Sequence, residues 1–333
     1  MVFLQLFLML IVIVVAAEIF TNALEHLGER LKISEGVTGS LFAAVGTALP
    51  ETSVPLLALL AGTSDPHTNA EIGVGAILGA PLMLGTLSIS LMAFAVWAKR
   101  GVHGRFHAEK TGLVRDLNFF LMAFGFAAVA LYIPHTQAWM RAAIVFGMIL
   151  IYFIYILLTI RASRALVSGG HATAAEGSML LCRLGLPCSV AVIIAQLAFG
   201  LIMLIAGAKG FIHGVEEASR LLGISTLLLS LLIIPIATEL PEKVNSFLWV
   251  RRGKDTLAFG NITGAMVFQG TLLPAIGIML TPWEPRIEVL AGILMTLLAA
   301  LWLRMLIARG ELKVWHLWVN GVMYLTYLVI ALA

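Results

Sequence analysis

Cut at its polar and Gly/Pro clusters, the chain falls into ten apolar segments, at residues 2–27, 36–60, 71–98, 117–133, 139–160, 184–208, 224–249, 257–280, 287–308 and 315–332. A helix needs about 20 predominantly apolar residues to cross a bilayer, and ten such runs leave few folds open. In hydrocarbon every backbone amide must be satisfied internally, so each run is predicted to be a helix. Composition agrees: 60% of the 333 residues are apolar and 12% charged, with a mean hydropathy of +1.01. A soluble domain does not carry that much apolar surface. The 31 glycines and 11 prolines suit membrane helices, which tolerate both better than soluble ones do. Disordered, collagen-like and nucleic-acid-binding classes are excluded. The first segment lacks the basic flank of a signal peptide and is read as a retained span.

The formal net charge of +3 reflects where the cations sit, not an acidic partner. Alternate connections hold sixteen of the Lys and Arg residues: Arg30 and Lys32; Lys99, Arg100, Arg105, Lys110 and Arg115; Arg161, Arg164 and Arg183; Arg251, Arg252 and Lys254; Arg304, Arg309 and Lys313. The other connections hold four: Arg141, Lys209, Arg220 and Arg286. Cytoplasmic loops carry the excess, which predicts both termini outside a plasma (inner) membrane. Cys182 and Cys188 suggest neither a disulfide framework nor a zinc site.

Slid against itself by 191 residues, the chain superimposes 17–51 on 208–242 without a gap. Ala17, Phe20 and Glu25 meet Ala208, Phe211 and Glu216. Leu49-Pro50-Glu51 falls on Leu240-Pro241-Glu242. A shift of 185 matches Gly75, Ile77, Gly79 and Ala80 to Gly260, Ile262, Gly264 and Ala265, and Gly85-Thr86-Leu87 to Gly270-Thr271-Leu272. Repeat mates lie five spans apart, so the second copy is inserted upside down, the architecture of secondary transporters. The predicted fold is an all-α integral membrane protein of ten transmembrane helices in two inverted five-helix repeats. Residues 1–160 form the first repeat, 161–183 a cytoplasmic connector and 184–333 the second repeat.

Glu51 and Glu242 fall inside spans two and seven, where an ionisable side chain costs about 2.5 to 3.5 kcal/mol on insertion scales. The proline before each acid has no N–H for the carbonyl four residues back, at Gly46 and Ala237, and its ring opens the helix. Thr47 and Thr238 lie four residues before the acids, on the same helix face, and Glu239 adds a third carboxylate. Carboxylate, hydroxyl and carbonyl oxygens form a hard-cation set. Calcium, which takes six to eight oxygens, fits it better than magnesium. Neutralisation of these acids by Lys243 or by protonation is the competing explanation.

These residues resemble the sodium/calcium exchanger, or cation/calcium antiporter, superfamily, whose two repeats carry a Gly-Thr-Ser-Leu-Pro-Glu-like motif and then a Gly-Asn-x-x-Gly-Ser-Asn-like motif. Here the first reads Gly46-Thr47-Ala48-Leu49-Pro50-Glu51 and Ala237-Thr238-Glu239-Leu240-Pro241-Glu242. The second reads Gly75-Ala76-Ile77-Leu78-Gly79-Ala80 and Gly260-Asn261-Ile262-Thr263-Gly264-Ala265. The resemblance implies Glu51 and Glu242 as principal calcium ligands, with oxygens of Thr47 and Thr238 in support, and spans one and six as the moving element. Ala48 and Glu239 replace the usual serine. Leu84 and Gln269 stand where a late Asn or Asp ligand is expected. Repeat one thereby loses oxygens of the sodium-site type, which weakens sodium coupling relative to protons.

Asn261 and Gln269 are close enough in phase to face one cavity, or to make interhelical hydrogen bonds. Glu18 and Lys209 are gating charges or side chains snorkelling from a helix end. Gly73, Gly75 and Gly79 indicate close helix packing rather than a dinucleotide fingerprint. Glu25, His26, Glu216 and Glu217 fall near segment ends, where solvation or an access path is expected. No nucleophile-base pair or His-Glu-x-x-His motif appears, so enzymatic activity is not expected. The expected function is exchange of calcium, or a similar divalent, for sodium or protons, without a cofactor and with the bilayer and inorganic cations as partners. A passive divalent cation channel built on the same acids is the alternative.

Overall fold

The apolar segments form helices in a computed structural model, which describes residues 2–30, 49–62, 65–167, 178–183, 185–253 and 255–332. In chain order these are α1 (Val2–Arg30), α2 (Leu49–Ala61), α3 (Pro66–Met83), α4 (Ile89–Arg100), α5 (Lys110–Ala130), α6 (Ala138–Val167), α7 (Leu180–Arg183), α8 (Val190–Leu222), α9 (Thr226–Thr238), α10 (Leu240–Arg251), α11 (Asp255–Leu280), α12 (Ile287–Arg309) and α13 (Val314–Leu332). A π-helical turn at Leu84–Ser88 joins α3 to α4. Among the described residues eight helical runs are long and apolar enough to cross a membrane. Two shorter apolar helices, Glu51–Ala61 and Thr226–Ile236, fall in the second and seventh predicted segments.

The opening expected from Pro241 is present: the seventh segment is two helices, divided at Glu239. Two expectations are corrected. The sixth segment, expected to stop at 208, runs on to Leu222. The charges from Lys209 onward read as a stop in sequence. In the fold Lys209, His213, Glu217 and Arg220 are exposed while Phe211, Ile212, Val215 and Ala218 are buried, an amphipathic continuation that ends on left-handed Gly223. Cys182 and Cys188, expected to be unlinked, are joined as a disulfide. Gly185, at φ +88°, turns the chain back and brings their Cα atoms to 5.6 Å, within bonding range.

The chain divides into two compact units, each drawn from both halves of the sequence. In the first, residues 1–66 and 156–223, α1 and α8 run antiparallel along most of their length. Successive glycines of α8 face successive turns of α1 in reverse: Gly200 faces Phe20, Gly207 faces Val12 and Ile13, and Gly214 faces Leu6. Small residues allow this approach in a membrane, where lipid gives no hydrophobic drive between helices. Polar groups reinforce it. Buried Gln196 donates to Ile19 O and Asn22 Oδ1, both at 3.0 Å, and Gln5 donates to Gly210 O at 3.2 Å. The outward sides of both helices, including Phe3, Phe7, Ile11, Phe199 and Ile202, are exposed apolar residues suited to lipid contact.

The second unit, residues 67–155 and 224–333, is built around α3, whose residues 72–83 are all buried. Pro81 has no N–H for the Ile77 carbonyl, and the π turn follows it; Asn320 of α13 donates to the Gly85 carbonyl there at 2.7 Å. At one end, Arg100 grips buried Asp255 through two N–H donors at 2.8 and 2.7 Å and also donates to Val250 O. Glu109 caps α5 by accepting from Gly112 and Thr111, and the Gly112 N–H above all holds its carboxyl below the usual carboxylate range.

At the other end buried Arg141 closes the C-terminus of α11, donating to the carbonyls of Ile278 and Thr281 at 3.0 Å each and to that of Pro282. Helix carbonyls left without donors are costly when buried. Arg141→Met, which keeps the aliphatic stem and removes the donors, is expected to cost about 2 kcal/mol. A lowered unfolding temperature of the detergent-solubilised protein would register it, and an unchanged one would show the cap to be dispensable.

Candidate cation site

The second-repeat site grows out of one helix, α9. Ser225 starts it, its hydroxyl accepting from the Leu228 N–H at 3.2 Å. Ten residues on, Pro235 has no N–H for the Leu231 carbonyl, which instead abuts α3 at Gly79. The helix ends at Thr238, and Glu239 takes φ −91°, ψ 11°, outside the helical basin. Pro241 accounts for the position of the break. It has no N–H for the Ala237 carbonyl and its ring crowds that carbonyl, so the turn between them opens, at Glu239. The chain then resumes helix as α10.

Two polar side chains are sealed at that break. Thr238 is buried and its hydroxyl donates to Ile234 O at 3.1 Å, leaving oxygen lone pairs for a ligand. Glu239 is fully buried, and its Oε2 lies 3.5 Å from Lys243 Nζ. The same ammonium donates to Pro235 O at 2.9 Å. Lys243 therefore pairs with Glu239 and caps a carbonyl of the broken helix. Removing either member would strand the other in a dry site. Pro241 cannot donate to the Ala237 carbonyl. Glu242 lies in the first turn of α10, and its side chain is outside the described residues.

In the first unit Glu51 lies in the first turn of α2 and is only 4% exposed, although α2 is one of the two short apolar helices. Gly46 and Thr47 lie outside the described residues. On α11, Asn261 donates to Ser246 Oγ of α10 at 3.0 Å, so the interhelical hydrogen bond is realised. Gln269 is 2% exposed, and its Oε1 has no hydrogen-bond partner among the described residues. The structure thus gathers Thr238, Glu239 and Lys243 at one break and ties Asn261 to the helix that follows. Of the smaller signals, Glu18, Lys209 and Glu217 are exposed, whereas Glu216 is half-buried and paired with Arg220.

Two buried acids are not singled out by the sequence, Asp255, held by Arg100, and Asp116. Asp116, placed one residue outside the fourth segment, lies within α5 and is 6% exposed. The usable signal was its position in an otherwise apolar helix, where an ionisable group needs a specific reason.

Eight long apolar helical runs among the described residues define a multi-pass helical membrane protein. The comparisons make the class specific. Residues 1–161 and 192–333 match the family described as sodium/calcium exchanger protein, and the chain belongs to it. It is 33% identical over 139 residues to the mitochondrial sodium/calcium exchanger protein of Rattus norvegicus, a stretch that is 41% of this chain and 22% of that one. The chain thus spans about a fifth of that relative's length. Its fold is similar to the crystal structure of the H+/Ca2+ exchanger CAX, with a TM-score of 0.73 and 18% identity over 98% of this chain and 82% of that chain. It is also similar to the sodium-calcium exchanger NCX_Mj, with a TM-score of 0.57 and 20% identity over 99% of both chains.

Proposed function

We propose that this chain is a secondary antiporter that exchanges calcium, or a similar divalent cation, for protons by alternating access, with sodium the other candidate counter-ion. Its ten spans form two inverted repeats in the plasma membrane with both termini outside. Glu51 and Glu242 supply the principal ligands. Thr47, Thr238, Asn261 and Gln269 contribute side-chain oxygens, and Gly46 and Ala237 contribute carbonyls. The observation that carries the reading is the break at Glu239, where a helix opens at a buried carboxylate within a chain of the exchanger family. Irregular backbone at membrane depth is tolerated where it lines a site.

Charge balance favours protons. Lys243 offsets Glu239, and Glu51 and Glu242 supply two negative charges, the complement of one divalent ion. Two protons restore the same neutrality, while Ala48 and Leu84 withhold oxygens that sodium would need. The test is uptake of calcium-45 into proteoliposomes under imposed ion gradients. Saturable uptake driven by an outward proton gradient, and weakly by an outward sodium gradient, is expected. The reverse ranking would reassign the counter-ion. Non-saturating flux without any counter-gradient would replace the antiporter with a channel.

A further inference from the structure

Asp116 has no part in the cation site, yet it is built into the second unit from three directions. Its Oδ2 accepts from Thr263 Oγ1 of α11 at 2.9 Å, the Tyr155 hydroxyl of α6 hydrogen-bonds to the same carboxylate, and Arg115 Nη2 lies 3.5 Å from Oδ1. The Arg115 guanidinium also sits over the Tyr155 ring, 5.9 Å from its centroid. The several lone pairs of a carboxylate let it receive two hydroxyl donors and a guanidinium together, and the bond to Thr263 needs one of its oxygens.

The partner makes this acid informative. Thr263 lies two residues beyond Asn261, about 200° away around the helix, on its opposite face. α11 is therefore held on both sides: Asn261 bonds to Ser246 of α10, and Thr263 bonds to Asp116 of α5. Along the α5 side Gly270 meets Phe120, where an added Cβ would come within 2.5 Å, so the helices are in close contact and packing alone leaves little room for tilt. Rotation about the helix axis is the remaining freedom, and a directional hydrogen bond restrains it. A turn of about 20° would carry a side-chain oxygen ~6 Å from the axis through about 2 Å. Metal-oxygen distances tolerate only about 0.2 Å.

We infer that Asp116 is a positioning residue for cation binding: through Thr263 it sets the rotation of α11, and with it the direction in which Asn261 and Gln269 point. The inference rests on the proposed site. It assigns to a carboxylate outside that site a control over affinity rather than over the transport step.

The experiment compares Thr263→Val, Thr263→Ser, Asp116→Leu and Asp116→Asn in calcium-45 uptake by proteoliposomes. Thr263→Val and Asp116→Leu are expected to raise the KM for calcium about tenfold, the range seen when a residue behind a metal ligand is lost, with turnover at saturation nearly unchanged. Thr263→Ser and Asp116→Asn, which keep a donor or an acceptor, are expected to stay near the unmodified value. The double variant should be no worse than Asp116→Leu alone, because both changes break one interaction. A parental KM in Thr263→Val overturns the inference. So does equal damage from Asp116→Asn and Asp116→Leu, which would make charge the operative property. A second readout needs no transport: the maleimide labelling rate of Asn261→Cys, expected to change when Thr263→Val is added. An unchanged rate also overturns the inference. If the unmodified protein carries no calcium, the proposed function fails while the labelling rate still decides the role of Asp116.

Discussion

Glu51→Gln and Glu242→Gln are each expected to lower gradient-driven calcium uptake by about 100-fold or more, since affinity in oxygen-ligand sites is set largely by the number of charged ligands. Glutamine keeps the size of the side chain and one carbonyl oxygen, so the loss reports charge rather than packing. Glutamine is nearly isosteric with the buried Glu51 side chain, so Glu51→Gln should fold about as well as the unmodified protein. Retained folding with lost uptake separates a ligand from a strut. Glu51→Asp keeps the charge but draws the oxygens back by one methylene, and should fall between. The measurement is initial calcium-45 uptake into proteoliposomes at matched protein content. Parental rates in both glutamine variants would remove these acids from the site.

The second large effect concerns a residue with no chemistry at all. A Cβ placed on Gly79 would lie 2.2 Å from Leu231 O and 2.6 Å from Pro235 Cγ. The nearest obstacle is a backbone carbonyl, which cannot rotate aside, and it belongs to the helix that ends at Thr238 and Glu239. Gly79→Ala is expected to cost about 3 kcal/mol, at the upper end for overpacking, and Gly79→Leu to prevent stable assembly. Gly264, the repeat mate, is the internal control. A Cβ there meets only the Tyr155 hydroxyl at 3.9 Å, an ordinary contact, so Gly264→Ala should be nearly neutral. Thermal unfolding of the two alanine variants in detergent reads the difference directly. Equal tolerance at both positions would mean that α3 does not rest on α9 as described.

The two glycines show how far sequence comparison reaches. Self-alignment pairs Gly79 with Gly264 and implies equivalent roles, but the fold presses one onto a proline-freed carbonyl and leaves the other in looser contact. The site shows the same division. Proline 241 and the acids around it marked where a helix had to open, because the missing N–H and the ring clash are local properties. The expected seventh span was nonetheless drawn as one element, since apolar content does not register a one-residue break. Lys243 could have faced either neighbouring acid, and its spacing of four from Glu239 became decisive only once α10 had formed. For α8, charges from Lys209 onward looked like an end, because hydropathy averages over all sides of a helix and cannot see that the charged side is exposed.

The chain's order of residues by itself determined that apolar helices would fill the fold and that a Pro-Glu pair would interrupt one of them. Those outcomes follow from hydrogen bonding and sterics within a few residues of each other. Tertiary structure alone decided that Gly79 carries α9 and that Asp116 holds Thr263 from 147 positions away. Such contacts join helices whose periodicity records only which face is apolar, not which neighbour will cover it.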